Sequence, residues 1–115
     1  MLLEIQESRT NDIAVLQLTG KLALGRESQR IENLVDDFGR RQERKVIFDM
    51  TGVHYIDSAG IGILALAAGK LREGGGKLVV VAPPDGRVAQ LLTMTQVSSI
   101  VALCPTMDEA MAGFA

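Results

Sequence analysis

The stretch Lys45–Leu64, KVIFDMTGVHYIDSAGIGIL, decides the fold that the sequence predicts. Its first part contains Val46–Phe48, a short apolar run that is typical of an interior strand covered on both faces. Asp57 and Ser58 then precede an uncharged segment, Ala59–Gly69, with the composition of an apolar helix. Either side chain can cap that helix, because its oxygen accepts from the unpaired N–H groups of the first turn. The stretch therefore predicts a strand, a polar turn and a helix, with Ser58 presented at the edge of the fold.

The composition of the whole chain narrows the class of protein. The 115 residues suit one domain spanning residues 1–115, and the 47% hydrophobic and 23% charged content is ordinary for a folded globule. A net charge of −2 and the lack of tryptophan provide neither a basic surface nor a stacking platform, so we expect no nucleic-acid partner. The single cysteine, Cys104, excludes an internal disulfide, and its place after an apolar run predicts a buried, unreactive thiol.

No segment of the sequence predicts export or a membrane span. The first residues lack the basic and long apolar segments of a signal peptide. The longest uncharged apolar stretch, Ala59–Gly69, is too short to span a bilayer. We therefore expect a cytoplasmic protein, and the sequence contains no set of residues that calls for a cofactor or a metal ion.

Strand and helix patterns alternate on both sides of the central stretch. The N-terminal strands, with Leu3 and Ile5 in the first and Ile13–Thr19 as the second, predict an antiparallel hairpin. The later predicted elements are, in chain order, a helix over Glu27–Arg41, a strand over Leu78–Ala82, a helix capped by Asp85, a strand over Ile100–Leu103 and a helix that opens with the capping box Thr106–Glu109. Such alternation means parallel strands joined by right-handed crossovers. We predict an α/β fold with a mixed, mostly parallel sheet of about five strands and about four helices.

Three predicted loops share one edge of this sheet. They cover Gly20–Arg26, Thr51–Gly60 and Pro83–Arg87, and each follows a strand. Ligands and partners of such sheets meet the carboxyl ends of the strands. Ser58 lies in the middle loop, so we expect it on the binding edge.

The helix after Ser58 is apolar on more than one side, and Gly74–Gly76 ends it. One apolar face of the helix consists of Ile61, Leu64, Ala68 and Leu71. Three further apolar residues lie outside this face: Ile63, Leu66 and Ala67. Either the helix is covered nearly all round, or part of it is an exposed docking surface. Full coverage is hard in a small domain, so the pattern favours a partner surface.

Three other motif interpretations, one hydrolytic and two nucleotide-binding, fit these residues less well. A hydrolase nucleophile elbow needs G-x-S-x-G, but Ile56 stands in place of the first glycine and the only histidine, His54, lies in the same predicted turn. The run Gly60–Ala65 matches a loose dinucleotide fingerprint, but it lies too far from the preceding strand. Gly74–Lys77 resembles a phosphate loop, yet a strand follows where a helix should. A weak nucleotide contact at Gly60 stays open.

The local pattern leaves two roles open for Ser58. The residue either only caps the helix or accepts a phosphoryl group, which the N–H groups at a helix start tolerate. A phosphate left unpaired in an interface would cost about 2–5 kcal/mol, enough to separate a complex.

The run Asp49–Leu64, DMTGVHYIDSAGIGIL, resembles the hallmark of the STAS domain, the fold of bacterial anti-sigma-factor antagonists. The family pattern is close to D-x-S/T-x-V-x-x-I/M-D-S-S/A-G-L/I-G-x-L. The segments Gly20–Leu22 and Leu91–Val101 agree with the same family, so the resemblance covers nearly the whole chain. It implies a switch and not an enzyme. In this family an unphosphorylated antagonist captures an anti-sigma factor with a kinase-like ATP-binding fold, which then phosphorylates and releases it, and a phosphatase resets the pair.

The resemblance also assigns roles to individual residues. The first serine of the motif, Ser58, is the implied phosphorylation site. The implied partner-binding residues are Asp57, Ala59, Gly60, Ile61, Gly62, Ile63, Leu22, Ala23, Arg26 and Arg87. The chain departs from the family at Ala23, where many members carry an acidic residue, and at Ala59, which replaces a second serine. Ser58 is therefore the only acceptor in the turn.

The same resemblance allows other functions. STAS domains also serve as scaffolds of stress complexes or as adaptors in lipid-transport machinery, without a phosphorylation switch. A small nucleotide-binding protein is a further alternative. The exposed side of the helix after Ser58 leaves open whether two copies of the chain form a dimer.

Overall fold

The computed structural model describes residues 3–23 and 25–114. Within them the chain forms five strands: β1 Leu3–Thr10, β2 Ile13–Leu22, β3 Lys45–Ile56, β4 Lys77–Val81 and β5 Ala102–Cys104. The described α-helices are α1 Arg26–Arg40, α2 Ser58–Glu73, α3 Arg87–Met94 and α4 Met107–Ala112, and a turn of 3₁₀ helix, Val97–Ser99, precedes β5. Among the described helices, none is both long and apolar enough to cross a bilayer.

The five strands form one sheet in the order β1-β2-β3-β4-β5. β1 and β2 are antiparallel, and the other three neighbouring pairs are parallel. This confirms the predicted mixed sheet with an antiparallel N-terminal pair. Each crossover advances by one strand in the same direction, so right-handed connections place α1, α2 and α3 on the same face of the sheet.

The main core lies between the sheet and these three helices. Its buried residues include Ile31, Val35 and Phe38 of α1, Leu64 and Leu71 of α2, Val88 and Leu92 of α3, and Leu16, Leu18, Val46, Phe48 and Val80 of the strands. The apolar spacing predicted for α1 is therefore the face that packs on the sheet. Burial of this apolar surface is the main source of folding free energy.

The short helix α4 packs on the opposite face of the sheet. Thr106 caps it as predicted, because its Oγ1 accepts from the N–H of Glu109 at 3.2 Å. Ala110 joins a second, smaller core with Ile13, Val15, Ile47, Val79 and Val81, against which Met107, Met111 and Phe114 also pack. At 1.5 Å per residue, six residues make a helix about 9 Å long. We infer that α4 leaves much of this face uncovered.

The strand β3 is longer than the sequence predicts. The predicted loop over Thr51–Gly60 is strand as far as Ile56, and His54 is an exposed strand residue and not a turn residue. The reason is two register shifts against β2, each of which inserts one extra residue into β3. Buried Met50, Val53 and Ile56 are consequently three residues apart, a spacing that the alternating strand pattern does not contain.

Four smaller expectations are also corrected. β2 continues to Leu22 and α1 begins at Arg26, so the predicted loop over Gly20–Arg26 is shorter, and Leu24 lies outside the described residues. Gly86, and not Asp85, is the N-cap of α3, without a side-chain hydrogen bond. β5 starts at Ala102, after the 3₁₀ turn, and Cys104 is half-buried and not fully buried.

The helix α2 is covered on one side only. Gly60, Leu64, Ala67, Ala68 and Leu71 are buried. Ile61 and Ile63 are half-buried, and Leu66 is 41% exposed. Of the two predicted arrangements, the structure has the one with part of the apolar surface open to solvent.

Two leucines of α2 test this orientation. Leu64→Ala should lower the free energy of unfolding by about 2–5 kcal/mol, because it leaves a cavity in the main core. Leu66→Ala is the matched control on the same helix and should lower it by about 1 kcal/mol or less. Urea denaturation measures both values. Equal losses would contradict the described orientation of α2.

Candidate functional site

The start of α2 decides which of two side chains is the helix cap. Asp57 has an extended backbone, and its Oδ1 accepts from the N–H of Gly60 at 2.9 Å. The Asp57 carbonyl also accepts from the N–H of Ile61 at 3.0 Å. Ser58 is the first residue of α2 and is exposed. Capping is therefore the role of Asp57, and among the described side-chain hydrogen bonds none involves the Ser58 hydroxyl.

Gly60 sets how closely α2 approaches the end of β2. A Cβ at this position would overlap the carbonyl oxygen of Leu22 and lie 2.9 Å from Cγ1 of Ile56. The same carbonyl of Leu22 accepts from the N–H of Asp57 at 3.4 Å. Gly62, two residues further along the helix, is exposed and has open space around the equivalent point. Close packing thus accounts for the glycine at position 60 without a nucleotide.

The partner-binding residues predicted by the resemblance lie along the start of α2 and the adjacent loops, but they differ in exposure. Leu22 and Gly60 are buried. Gly62, Arg26 and Arg87 are exposed, with the two arginines as first residues of α1 and α3. The half-buried positions are Asp57, Ala59, Ile61, Ile63 and Ala23.

The charges around Ser58 are few. α2 has no acidic residue in its first turn, so the capping Asp57 is the nearest carboxylate in the sequence. Within the described side chains, no ion pair involves Arg26, Arg87 or Lys21 of β2. The aligned peptide dipoles of a 16-residue helix add partial positive charge at its start. This edge of the sheet therefore favours an added negative charge.

Two ion pairs that change the pKa of one partner lie away from this edge. Asp36 of α1 accepts from Lys70 of α2 at 2.7 Å, and this hydrogen bond raises the pKa of Lys70 above its ordinary value. Lys45 lies 2.9 Å from Asp12 and lowers the pKa of that carboxyl group. The first pair joins α2 to α1, and the second joins the β1–β2 turn to the start of β3.

Sequence reasoning missed the pair Lys21 and Tyr55. The two residues are register partners on β2 and β3, and the Lys21 Nζ lies 5.9 Å from the centre of the Tyr55 ring. Tyr55 is 41% exposed, and it is the only tyrosine of the sequence. No local pattern identifies this pair, because the register shifts of β3 bring the two residues together.

The described surroundings of Ser58 contain neither a hydrogen-bonded base nor a cluster of metal-ligating residues. Nucleophilic catalysis needs a base hydrogen-bonded to the attacking group, and among the described hydrogen bonds none joins Ser58 to a base. Within residues 3–23 and 25–114, no group of three or more His, Cys, Asp or Glu residues could hold a metal ion. The remaining chemistry of Ser58 is that of an accessible alcohol.

The chain matches the family model described as STAS domain over residues 4–110. Its structure is similar to that of the protein TM1081 of Thermotoga maritima, with a TM-score of 0.84 and 22% identity over 95% of this chain and 92% of that one. An anti-sigma factor antagonist of Mycobacterium paratuberculosis has a TM-score of 0.79 and 22% identity over 96% and 92% of the two chains. The Bacillus cell fate determinant SpoIIAA in its phosphorylated form has a TM-score of 0.74 and 16% identity over 97% and 100%. At these low identities, the TM-scores show a shared fold and no more.

Two glycines test the close contact at the start of α2. Gly60→Ala should lower the free energy of unfolding by about 1–3 kcal/mol, because the added methyl group must displace the backbone of Leu22. Gly62→Ala is the matched control and should raise it by about 0.5–1 kcal/mol, since alanine is the better helix former and the space is open. A Gly60→Ala variant as stable as the parent in urea would contradict this geometry.

The assignment of the cap can be tested separately. Asp57→Ala should cost about 0.5–2 kcal/mol of stability, whereas Asp57→Asn should retain most of it, because the amide oxygen can still accept from Gly60. Ser58→Ala should change stability by less than about 0.5 kcal/mol. Thermal or urea unfolding of the three variants gives the comparison, and a larger loss for Ser58→Ala than for Asp57→Ala would reverse the two roles.

Proposed function

Because the chain belongs to the STAS domain family, we propose that it is an anti-sigma-factor antagonist switched by phosphorylation of Ser58. The unmodified chain binds an anti-sigma factor that has a kinase-like, ATP-binding fold. That partner transfers a phosphoryl group to Ser58, and the complex separates. A phosphatase completes the cycle, and the proposed location is the cytoplasm.

One observation carries this proposal: the hydroxyl of Ser58 is exposed and is not the helix cap. Asp57 already accepts from the N–H of Gly60, so modification of Ser58 removes no capping interaction. A kinase can reach an exposed hydroxyl at the first position of a helix. The local sequence left the capping role open, and the hydrogen bond of Asp57 favours the phosphoacceptor role for Ser58.

The fold itself should tolerate the phosphate. A phosphoserine carries about −1.5 to −2 charges at neutral pH. At the start of α2 it lies beside the N–H groups of the first turn and the positive end of the helix dipole, both of which favour an anion. Phosphorylation should therefore change binding much more than it changes folding.

The negative charge of the phosphate weakens the binding of a partner that covers Ser58. A protein that covers Ser58 would bury the phosphate beside the carboxylate of Asp57, away from water. An unpaired buried charge in an interface costs about 2–5 kcal/mol, which corresponds to a dissociation constant raised about 30-fold or more. SpoIIAA, which is named as an anti-sigma factor antagonist, is known in both unphosphorylated and phosphorylated forms. Its similar fold supports the view that a domain of this kind accommodates the modification.

Phosphorylation can be tested with the purified kinase-fold anti-sigma factors of the source organism. Incubation with ATP should add one phosphate to the parent chain, detected by intact mass, and peptide mapping should place it on Ser58. Ser58→Ala should gain no mass and remain bound in the presence of ATP. Ser8→Ala, which removes an exposed serine of β1, is the matched control and should behave like the parent. A phosphate on another residue of Ser58→Ala would refute the site.

The scaffold alternative gives a different result in the same experiment. An unswitched adaptor would form a complex of equal affinity with and without ATP, and Ser58→Ala would not alter it. A nucleotide-binding protein would instead show saturable binding of purine nucleotides in a direct titration without a second protein.

A further inference from the structure

We propose that the bound kinase extends across the edge of the sheet beyond Ser58 and also contacts Tyr55 and Lys21, to which it presents an acidic segment. This inference rests on the proposed function and names a part of the partner surface. Tyr55 lies within the run Asp49–Leu64, at a position where the family pattern names no residue, and Lys21 lies in the segment Gly20–Leu22.

Tyr55 and Lys21 lie on the face of the sheet opposite α2. Their neighbours Ile56 and Leu22 are buried in the main core, on the side of the helices. Successive side chains of a strand point to opposite faces, so the tyrosine and the lysine point to the other side. There α4 packs over Ile13, Val15, Ile47, Val79 and Val81. The pair at the carboxyl end of β2 and β3 is not part of that packed cluster.

The distance to Ser58 is short compared with the size of a protein interface. Ser58 lies three positions after Tyr55, and three residue steps span at most about 11 Å of chain. A standard interface covers about 800 Å² on each partner, which corresponds to a disc of about 16 Å radius. An interface of that size centred on Ser58 reaches Tyr55 once it extends over the edge of the sheet.

The chemistry of the pair suits an acidic partner. A tyrosine ring offers a large contact area and loses little conformational entropy, and tyrosine is common among the residues that dominate binding energy. Its exposed ring is held beside the ammonium group of Lys21. Within the described side chains, no carboxylate forms an ion pair with Lys21. A carboxylate of the partner would complete the charge balance.

The same charge disfavours a second copy of this chain as the occupant. In a two-fold dimer the same surface patch faces itself. Pairing of this surface would place the unneutralised Lys21 of each copy near the other, which is repulsive. The kinase is already required at Ser58 by the proposed function, so one partner accounts for both contacts.

The test measures affinity without ATP, using the kinase that phosphorylates Ser58 in the assay above. Tyr55→Ala should raise the dissociation constant at least tenfold, and Tyr55→Phe, which keeps the ring, should raise it less. Lys21→Glu should also weaken binding, more at low salt than at high salt. Ile100→Ala is the matched control. Ile100 has the same 41% exposure as Tyr55, but it precedes the amino end of β5, whereas Tyr55 lies at the carboxyl end of β3. The dissociation constant of Ile100→Ala should stay within about twofold of the parent value.

The outcomes separate this inference from the proposed function. Thermal unfolding first establishes that each variant is folded. If Tyr55→Ala does not fold, Lys21→Glu alone tests the contact surface. Unchanged affinity of Tyr55→Ala and Lys21→Glu, with normal phosphorylation of Ser58, overturns the inference and leaves the proposed function intact. If no kinase modifies the parent chain, both are refuted.

Discussion

The position of Ser58 depends on the close approach of α2 to the end of β2. Gly60 allows this approach, because any larger residue would meet the carbonyl oxygen of Leu22. That carbonyl also accepts from the N–H of Asp57, so the last residue of β2 and the cap of α2 form one junction. The junction fixes the first turn of α2 at the carboxyl edge of the sheet. A longer side chain at position 60 would move the helix start and the serine with it.

Two neighbouring residues have different roles at this junction. Asp57 holds the helix through its bond to the N–H of Gly60, while Ser58 remains exposed. A helix start that is already capped can gain charge on the next residue without losing a hydrogen bond. This separation allows a modification to act on a partner while it leaves the domain folded. It is the physical basis of the switch that we propose.

The order of the strands explains why this edge is accessible. Sequential parallel strands with right-handed crossovers place the three longer helices on one face. Of the described helices, α4 alone lies on the other face, and its six residues pack mainly against the middle of the sheet. A partner at Ser58 can therefore contact the start of α2 on one side of the edge and the ends of β2 and β3 on the other.

The sequence by itself determined the fold class, the helices and the stretch that holds the site. The apolar spacing of α1, the buried run Val46–Phe48 and the capping box at Thr106 are local signals, and each predicted its element. The tertiary structure decided the length of β3, because its register shifts depend on pairing with β2 and not on its own pattern. It also decided the choice of Asp57 as cap, since both candidate residues have suitable side chains and only the folded geometry shows which one bonds to Gly60. The nearness of Lys21 and Tyr55 was likewise invisible in the sequence, because 33 residues separate them along the chain and only the register of two strands brings them together.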